Sequence, residues 1–320
     1  MGRVTIRDVA AAAGVSVSCV SYILNGSTAK KYSEKTVKAV KRAAEQLGYS
    51  PNRVARNMRM QRANAIGIVS FWENGSAELL PTLKAVTEAA AALGNIAVMC
   101  PGAEDFSYIN AFKNRTVDGF VLIAPSAAQY NERAHIRALT EAGAPFAIVN
   151  ATLQQPGVAT VIYDYYEVTA AAVRYLLERG RRRVIYVDEF SAEAARELRE
   201  RREGYMDTVR ASGLLPRTCD LSRLTLEELS GIEGVVAARA ETARALMRRL
   251  LDEGVRFPAS FDLIAASADG GEGDLGVPLT ATEFSYREAG EYAVRAVLGM
   301  LSPCPFTPSP HLVEGKTVRA

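Results

Sequence analysis

Residues 5–25 read T-I-R-D-V-A-A-A-A-G-V-S-V-S-C-V-S-Y-I-L-N, and the rest of the chain is organised around them. Thr5 followed three residues later by Asp8 marks a capped helix start. Ile6, Val9, Ala10 and Ala13 then recur at helical spacing. Gly14 ends that helix, because a residue that accepts positive φ makes so tight a turn at little cost. Val15 plugs the corner from inside. Ser16 caps a second helix, whose apolar face is Val17, Val20, Ile23 and Leu24. Two short helices joined by a glycine turn make a helix-turn-helix, a unit that sets its second helix into a DNA major groove. A plain helical hairpin inside a larger core is the competing reading.

The surrounding charge favours DNA. Residues 1–62 hold twelve Lys and Arg against Asp8, Glu34 and Glu45, a net of +9 in a chain whose total is +2. The remainder therefore carries −7, so a basic head sits on an acidic body, and only the head suits a polyanion. After Asn25 and Gly26 a polar loop carries Lys30 and Lys31, placed for phosphate contact or simply solvated. Ser33 caps a third helix with Glu34 in its first turn and Val37, Val40, Ala44 and Leu47 on its inner stripe. In S-P-N-R-V-A-R-N-M-R (50–59), Ser50 and Pro51 open a helix of two or three turns. It has too few apolar residues to stand alone, so it folds when DNA and a second copy order it.

Other classes fall away. A length of 320 residues at 48% hydrophobic content supports two or more domains with full cores. Cys19, Cys100, Cys219 and Cys304 are far apart with no C-x-x-C pair, which disfavours a disulfide scaffold or a zinc module. With only His135 and His311, a histidine-rich metal site is not expected either. The opening M-G-R-V-T-I-R-D lacks the apolar run of a signal peptide, and no stretch is long enough to span a bilayer. The expectation is a cytoplasmic, reduced protein with no metal and no cofactor.

The segments V-T-I-R-D-V-A-A-A-A-G-V-S-V-S-C-V-S-Y-I-L-N-G, S-E-K-T and L-G-Y-S-P-N-R-V-A-R-N-M-R resemble the lactose-repressor (LacI/GalR) family of bacterial transcription regulators, and the resemblance continues through the body. It implies that Val17, Ser18 and Tyr22 read base edges, and that Thr5, Ser16, Cys19, Ser21 and Asn25 hold phosphates. Asn52, Arg53 and Ala55 fall on a hinge helix in the minor groove, and Met58 matches the apolar wedge that kinks the operator. Tyr22 stands where Arg is commoner in the family. Tyr cannot pair with guanine in a bidentate way, so the half-site differs from the family's commonest one. Val17 and Ser18 are small readers, which shifts specificity towards DNA shape. Cys19 replaces the usual Thr, as a redox-sensing thiol or simply as a small side chain.

From Ile66 the pattern alternates between strands and helices. Strands are expected at 66–71, 96–100, 118–125 and 145–150, then a second set at 161–163, 183–188, 234–238 and 261–266, with an alanine-rich helix over 77–93. Repeated β-α units imply parallel sheets covered on both faces, here two doubly wound subdomains with a ligand cleft at the strand carboxyl ends. The expected fold class is α/β. Residues 1–49 form a three-helix helix-turn-helix domain and 50–62 a hinge helix and linker. The resemblance implies that residues 63–320 form a periplasmic-binding-protein-like effector domain. The resemblance implies crossings between subdomains near 160, 284 and 304, giving subdomains of about 63–159 with 284–304 and about 160–283 with 305–320.

For the effector pocket, the resemblance matches Arg201 to a clamping arginine and Tyr286 to a stacking aromatic. Phe71 and Asn74 fall on the first strand-to-helix loop, Pro125 and Ser126 on the third, and Asn150 at the end of the fourth strand. The family's Asn-Asp is here Arg239-Ala240, and its G-F-D-D is A-S-A-D, which leaves Ser267 and Ala268 in place of an acidic pair and Asp269 offset by one. A carboxylate lost and a guanidinium gained suggest that Arg239 and Arg201 clamp an anionic or otherwise non-sugar effector. Alternatively Arg239 faces solvent or pairs with Asp269 or Glu241, in a vestigial pocket. Gly271-x-Gly273-x-x-Gly276 matches a dinucleotide fingerprint by count but is followed by V-P-L-T rather than a helix, so it reads as a loop. The expected partners are operator DNA, a small-molecule effector and a second copy in a homodimer, with no membrane. A repressor controlled by a protein partner is the alternative within regulation. An α/β enzyme with a basic tether is the alternative outside it, without a nucleophile elbow or metal cluster to support it.

Overall fold

The computed structural model describes residues 4–24, 32–49, 62–71, 78–102, 104–125, 131–189, 196–255, 258–267 and 276–319. The chain divides into two compact units, Met1–Ala63 and Asn64–Ala320.

In the first unit, α1 (Ile6–Ala13), α2 (Val17–Leu24) and α3 (Glu34–Gln46) enclose a small core of Val9, Ala10, Cys19, Val20, Ile23, Val40, Ala43 and Ala44. Each helix start is fixed by a side chain. Asp8 Oδ2 accepts from the Thr5 amide and hydroxyl, both at 2.8 Å. Ser16 Oγ accepts the Cys19 amide at 3.2 Å, and Ser33 Oγ accepts the Thr36 amide at 3.2 Å. Gly14 sits at φ 64, while the Val15 amide reaches back to the Ala10 carbonyl and the Gly14 amide to Ala11. That is a Schellman stop, and the chain bends by 103° between α1 and α2, within the helix-turn-helix range.

The second unit is two α/β lobes of the same winding. The first lobe holds β1 (Ala65–Ser70), α4 (Leu79–Ala92), β2 (Ile96–Met99), α5 (Ile109–Lys113), β3 (Phe120–Ile123), α6 (Glu132–Glu141), β4 (Phe146–Val149) and β5 (Ala159–Val161). The second holds α7 (Tyr165–Glu178), β6 (Val184–Asp188), α8 (Arg196–Ala211), β7 (Arg217–Asp220), β8 (Gly234–Ala237), α9 (Ala240–Asp252), β9 (Asp262–Ala265) and β10 (Thr280–Phe284). The chain then returns to the first lobe as α10 (Tyr286–Val297) and β11 (Pro305–Phe306), and ends in the second as β12 (Pro310–Val313). Strand orders are β11-β5-β4-β3-β1-β2 and β12-β10-β9-β8-β6-β7, parallel except for β10 with β12. The order of strands reverses between β1 and β3 in one sheet and between β6 and β8 in the other, and ligands bind at such reversals.

The crossings fall slightly later than the sequence suggested. Thr160 and Val161 belong to β5, paired with β4 in the first sheet, and Pro305 and Phe306 extend that sheet. The first and third crossings therefore follow residues 161 and 306. Tyr163, Tyr165, Phe284 and Tyr286 line the first two. Tyr163 stacks on Phe284 at 4.6 Å and 9°, so the two passing segments are held as one apolar joint. Each lobe also has one close helix crossing at a glycine. A Cβ on Gly290 of α10 would come within 2.5 Å of the Ala85 carbonyl carbon in α4, and one on Gly204 of α8 within 2.2 Å of the Tyr166 oxygen in α7.

Candidate functional site

The head presents an exposed face on α2 that carries the residues expected to read DNA. Val17 is 41% exposed and Tyr22 50% exposed, with Ser18 also exposed and Ser21 half-buried, while Val20 and Ile23 turn inward. Val17 thus leaves the apolar face assigned to it and stands on the exposed side with Ser18 and Tyr22. Cys19 takes the inward place, with its thiol buried in the three-helix core. Its amide meanwhile donates to Ser16 Oγ at 3.2 Å, so both the thiol and the amide of this expected phosphate contact are engaged within the head. The Thr5 and Ser16 hydroxyls stand exposed at the amino ends of α1 and α2, where peptide dipoles favour a phosphate. Asn25, Lys30, Lys31, Asn52, Arg53, Ala55 and Met58 lie outside the described residues.

The body presents a cleft-side cluster at the two strand-order reversals. Arg201, in α8 after β6, is fully buried. Its Nη2 donates to Glu78 Oε1 at 2.9 Å, its Nε to Glu197 Oε1 at 3.4 Å, and its Nη1 to the Ala266 carbonyl. The guanidinium also lies 4.8 Å from the centre of the Tyr165 ring. Burial and Glu78, competing for the same arginine, hold the Glu197 carboxyl above the usual range against the pull of Arg201. Asn150 is buried in the left-handed region at φ 61, a conformation Asn tolerates better than most residues. Its Nδ2 donates to the Ala124 carbonyl at 3.0 Å, and its Oδ1 accepts from Tyr165 Oη at 3.2 Å and Arg196 Nη2 at 3.0 Å. Asn150 is thereby a tie between the lobes, with its amide already engaged.

Tyr286 is buried, edge-on to Tyr163 at 5.7 Å, and its hydroxyl has no hydrogen-bond partner among the described residues. Burial, with Glu78 nearby, pushes that hydroxyl's pKa well up. Arg239 caps the start of α9 half-buried, and its buried Nε also lacks a partner among the described residues. Arg201, its expected partner in an anion clamp, donates instead to Glu78, Glu197 and the Ala266 carbonyl. Ser267 is occupied too: its Oγ accepts the Ala240 amide at 3.2 Å and so caps α9. Phe71 packs edge-on against His135 at 4.5 Å, and Pro125 is half-buried at the end of β3. Asn74, Ser126 and Asp269 lie outside the described residues.

Sequence reasoning missed Glu78 and Asp188. Asp188 ends β6 fully buried, and its pKa is raised by desolvation against the opposing pull of Arg239, Arg202 and Arg201. Its position at a strand's carboxyl end, in Y-V-D, was the available signal. A depression of about 630 Å³ bordered by Arg181, Arg183, Glu233 and Phe261 lies at the opposite, amino ends of the second sheet's strands, away from this cluster. Among the described residues no three His, Cys, Asp or Glu side chains gather for a metal, and no single helix is long and apolar enough to cross a membrane.

The family model for bacterial regulatory proteins of the lacI family matches residues 5–52, over α1, α2 and α3. The model for periplasmic binding proteins and the sugar binding domain of the LacI family matches residues 80–240, about half of the chain. The chain belongs to the LacI family. A periplasmic binding protein-like domain further matches residues 173–319 of this LacI-family chain. Among curated relatives, the probable HTH-type transcriptional repressor ExuR of Bacillus subtilis (strain 168) is 28% identical over 209 residues, covering 64% of this chain and 60% of its own length. The maltose regulon regulatory protein MalI of Escherichia coli (strain K12) is 27% identical over 275 residues, covering 84% and 78%. The chain thus spans well under the whole length of the first of these. Among solved structures, the lac repressor dimer bound to operator and the anti-inducer ONPF superposes with a TM-score of 0.67 at 21% identity, covering all of both chains. A CelR–cellobiose complex gives 0.60 at 23%, covering 98% of this chain and all of its own. At these identities the likeness is one of fold: a helix-turn-helix head and a periplasmic-binding-protein-like body.

Proposed function

We propose that this LacI-family chain is a sequence-specific DNA-binding repressor of transcription, not an enzyme. It binds a pseudo-palindromic operator as a homodimer and answers to a small molecule held between its two lobes. The observation that carries the reading is the α2 face, where Val17, Ser18 and Tyr22 stand exposed across a 103° bend on a domain of net charge +9. The match to relatives named as regulators supports it. Enrichment from random duplexes tests it: two half-sites related by a two-fold axis are expected, and no enrichment over bulk DNA overturns the reading.

Dimerisation is supported by the edge of the first sheet. β2 is an edge strand with Ile96 and Met99 more than half exposed, beside α4, where Leu80 is 74% exposed. An unpaired strand edge with apolar side chains is a surface that a second copy covers. Effector control is supported by Tyr286 Oη and Arg239 Nε, two buried groups without described partners in the cleft cluster. A second reading, control by a protein partner with no effector, draws support from Arg201, whose three nitrogens all donate within the protein. A thermal-shift screen of the full chain separates the two, since a ligand of the folded state raises its stability. A compound whose shift disappears in Tyr286→Ala supports effector control.

A further inference from the structure

Glu78 and Arg201 meet from opposite lobes. Glu78 lies in the connection that leaves β1 and leads into α4, while Arg201 lies in the connection that leaves β6. β1 and β6 are the corresponding strands of the two sheets, each at its sheet's order reversal. The contact at 2.9 Å is buried on both sides. Every nitrogen of Arg201 already donates within the protein, Nη2 to Glu78, Nε to Glu197 and Nη1 to the Ala266 carbonyl, so two carboxylates already face this one guanidinium. The amino end of α9 is the other feature here that favours an anion, and its Ala240 amide is taken by Ser267. The remaining described charges balance. Arg201, Arg202 and Arg239 stand against Glu78, Glu197 and Asp188, and Arg239 acts electrostatically on both Asp188 and Glu197.

We propose that Glu78 is a specificity-determining residue of the cleft: an in-built carboxylate that holds the place of a ligand's anionic group on Arg201, so that the cleft accepts uncharged ligands and turns anions away. The proposal rests on reading the cleft as the effector site. An anion reaching Arg201 must either pull Glu78 off its buried counterion or become a third acidic group on a guanidinium that already serves Glu78 and Glu197. Both are unfavourable in a site shielded from water. An uncharged ligand meets neither obstacle and can bond to the Tyr286 hydroxyl.

The test compares the full-length protein with Glu78→Gln and with Glu88→Gln, which removes the same charge from an exposed position on α4. The probes are inorganic phosphate, gluconate, glucose 6-phosphate and glucose at matched ionic strength, read by melting temperature and by calorimetric Kd. The expected result is about a tenfold or greater gain in affinity for at least one of the anions in Glu78→Gln alone, with the response to glucose equal in all three proteins. Anion binding by the wild type as tight as by Glu78→Gln overturns the proposal, as does a folded Glu78→Gln that gains nothing. If Glu78→Gln does not fold, Glu78→Asp takes its place, because it withdraws the charge by one methylene. It is expected to gain anion affinity in the same direction, and no gain overturns the proposal. The two readings fail differently. An anion gain in Glu78→Gln with a wild type that answers no compound supports the role of Glu78 and removes the effector reading. A wild type stabilised by an uncharged compound, without a gain in Glu78→Gln, does the reverse.

Discussion

Tyr22 projects half exposed from α2, and in the proposed DNA contact its phenol offers one hydroxyl and a ring face. Tyr22→Ala is expected to weaken binding to the selected operator by about 1–3 kcal/mol in a gel-shift titration, with the loss concentrated at one base position. Uniform weakening across sequences would make Tyr22 a backbone contact. Arg201 is expected to matter for stability as well as for ligands. Arg201→Met takes the shared counterion from two buried carboxylates and should cost about 3–5 kcal/mol in urea unfolding. His135 sits against the rings of Phe71 and Phe106 with Nδ1 3.1 Å from Tyr108 Oη, and burial lowers its pKa from 6.5 to about 4. The unfolded chain therefore takes up the proton at a higher pH than the folded one. Stability is full above about pH 7 and falls between pH 6.5 and 4, by at most about 3 kcal/mol from this group. Urea midpoints at pH 7.5 and 5 check this, since His135→Gln should lose less stability on acidification than the wild type. The outward side of α2 was legible only in part: helical spacing sets Ser18 and Tyr22 apart from Val20 and Ile23, but it placed Val17 with the inward residues, and Val17 stands exposed. Glu78 was not legible, because its partner lies 123 positions away and only the folded lobes bring them together.

Helices with a cap and a glycine stop were readable from local sequence. Gly14→Ala places a side chain at φ 64 and should cost about 1–2 kcal/mol in head stability, measurable by differential scanning calorimetry of the full chain. Gly204→Ala is expected to act on the other unit, because its Cβ would press on the Tyr166 backbone and spread α7 from α8, a cost of about 1–3 kcal/mol. Buried strands such as β3 and β8 were readable as apolar runs. β7, R-T-C-D, was not: it is an edge strand whose first two residues face solvent, so it carries no apolar run. β5 and β11 were misplaced for a related reason. Both are short strands beside crossings, and their lobe is decided by pairing with β4 and with each other rather than by their own composition.

For the whole molecule, the sequence disclosed a basic head on an acidic body and two rounds of the same β-α winding, and these set the architecture. The cleft's contents depend on contacts between rounds, so the binding of Arg201 by Glu78 and Glu197 could not be read from the chain. A chain with charged residues at Ile96 and Met99 should run as a monomer in light scattering and lose cooperative operator binding. The measurement that bears most directly on the account takes a compound that stabilises the full chain through the cleft and titrates the selected operator with and without it. Coupling between the two sites predicts a change in operator affinity of about 5- to 150-fold, in either direction, that disappears in Tyr286→Ala. An operator affinity unchanged when the cleft is filled would contradict it.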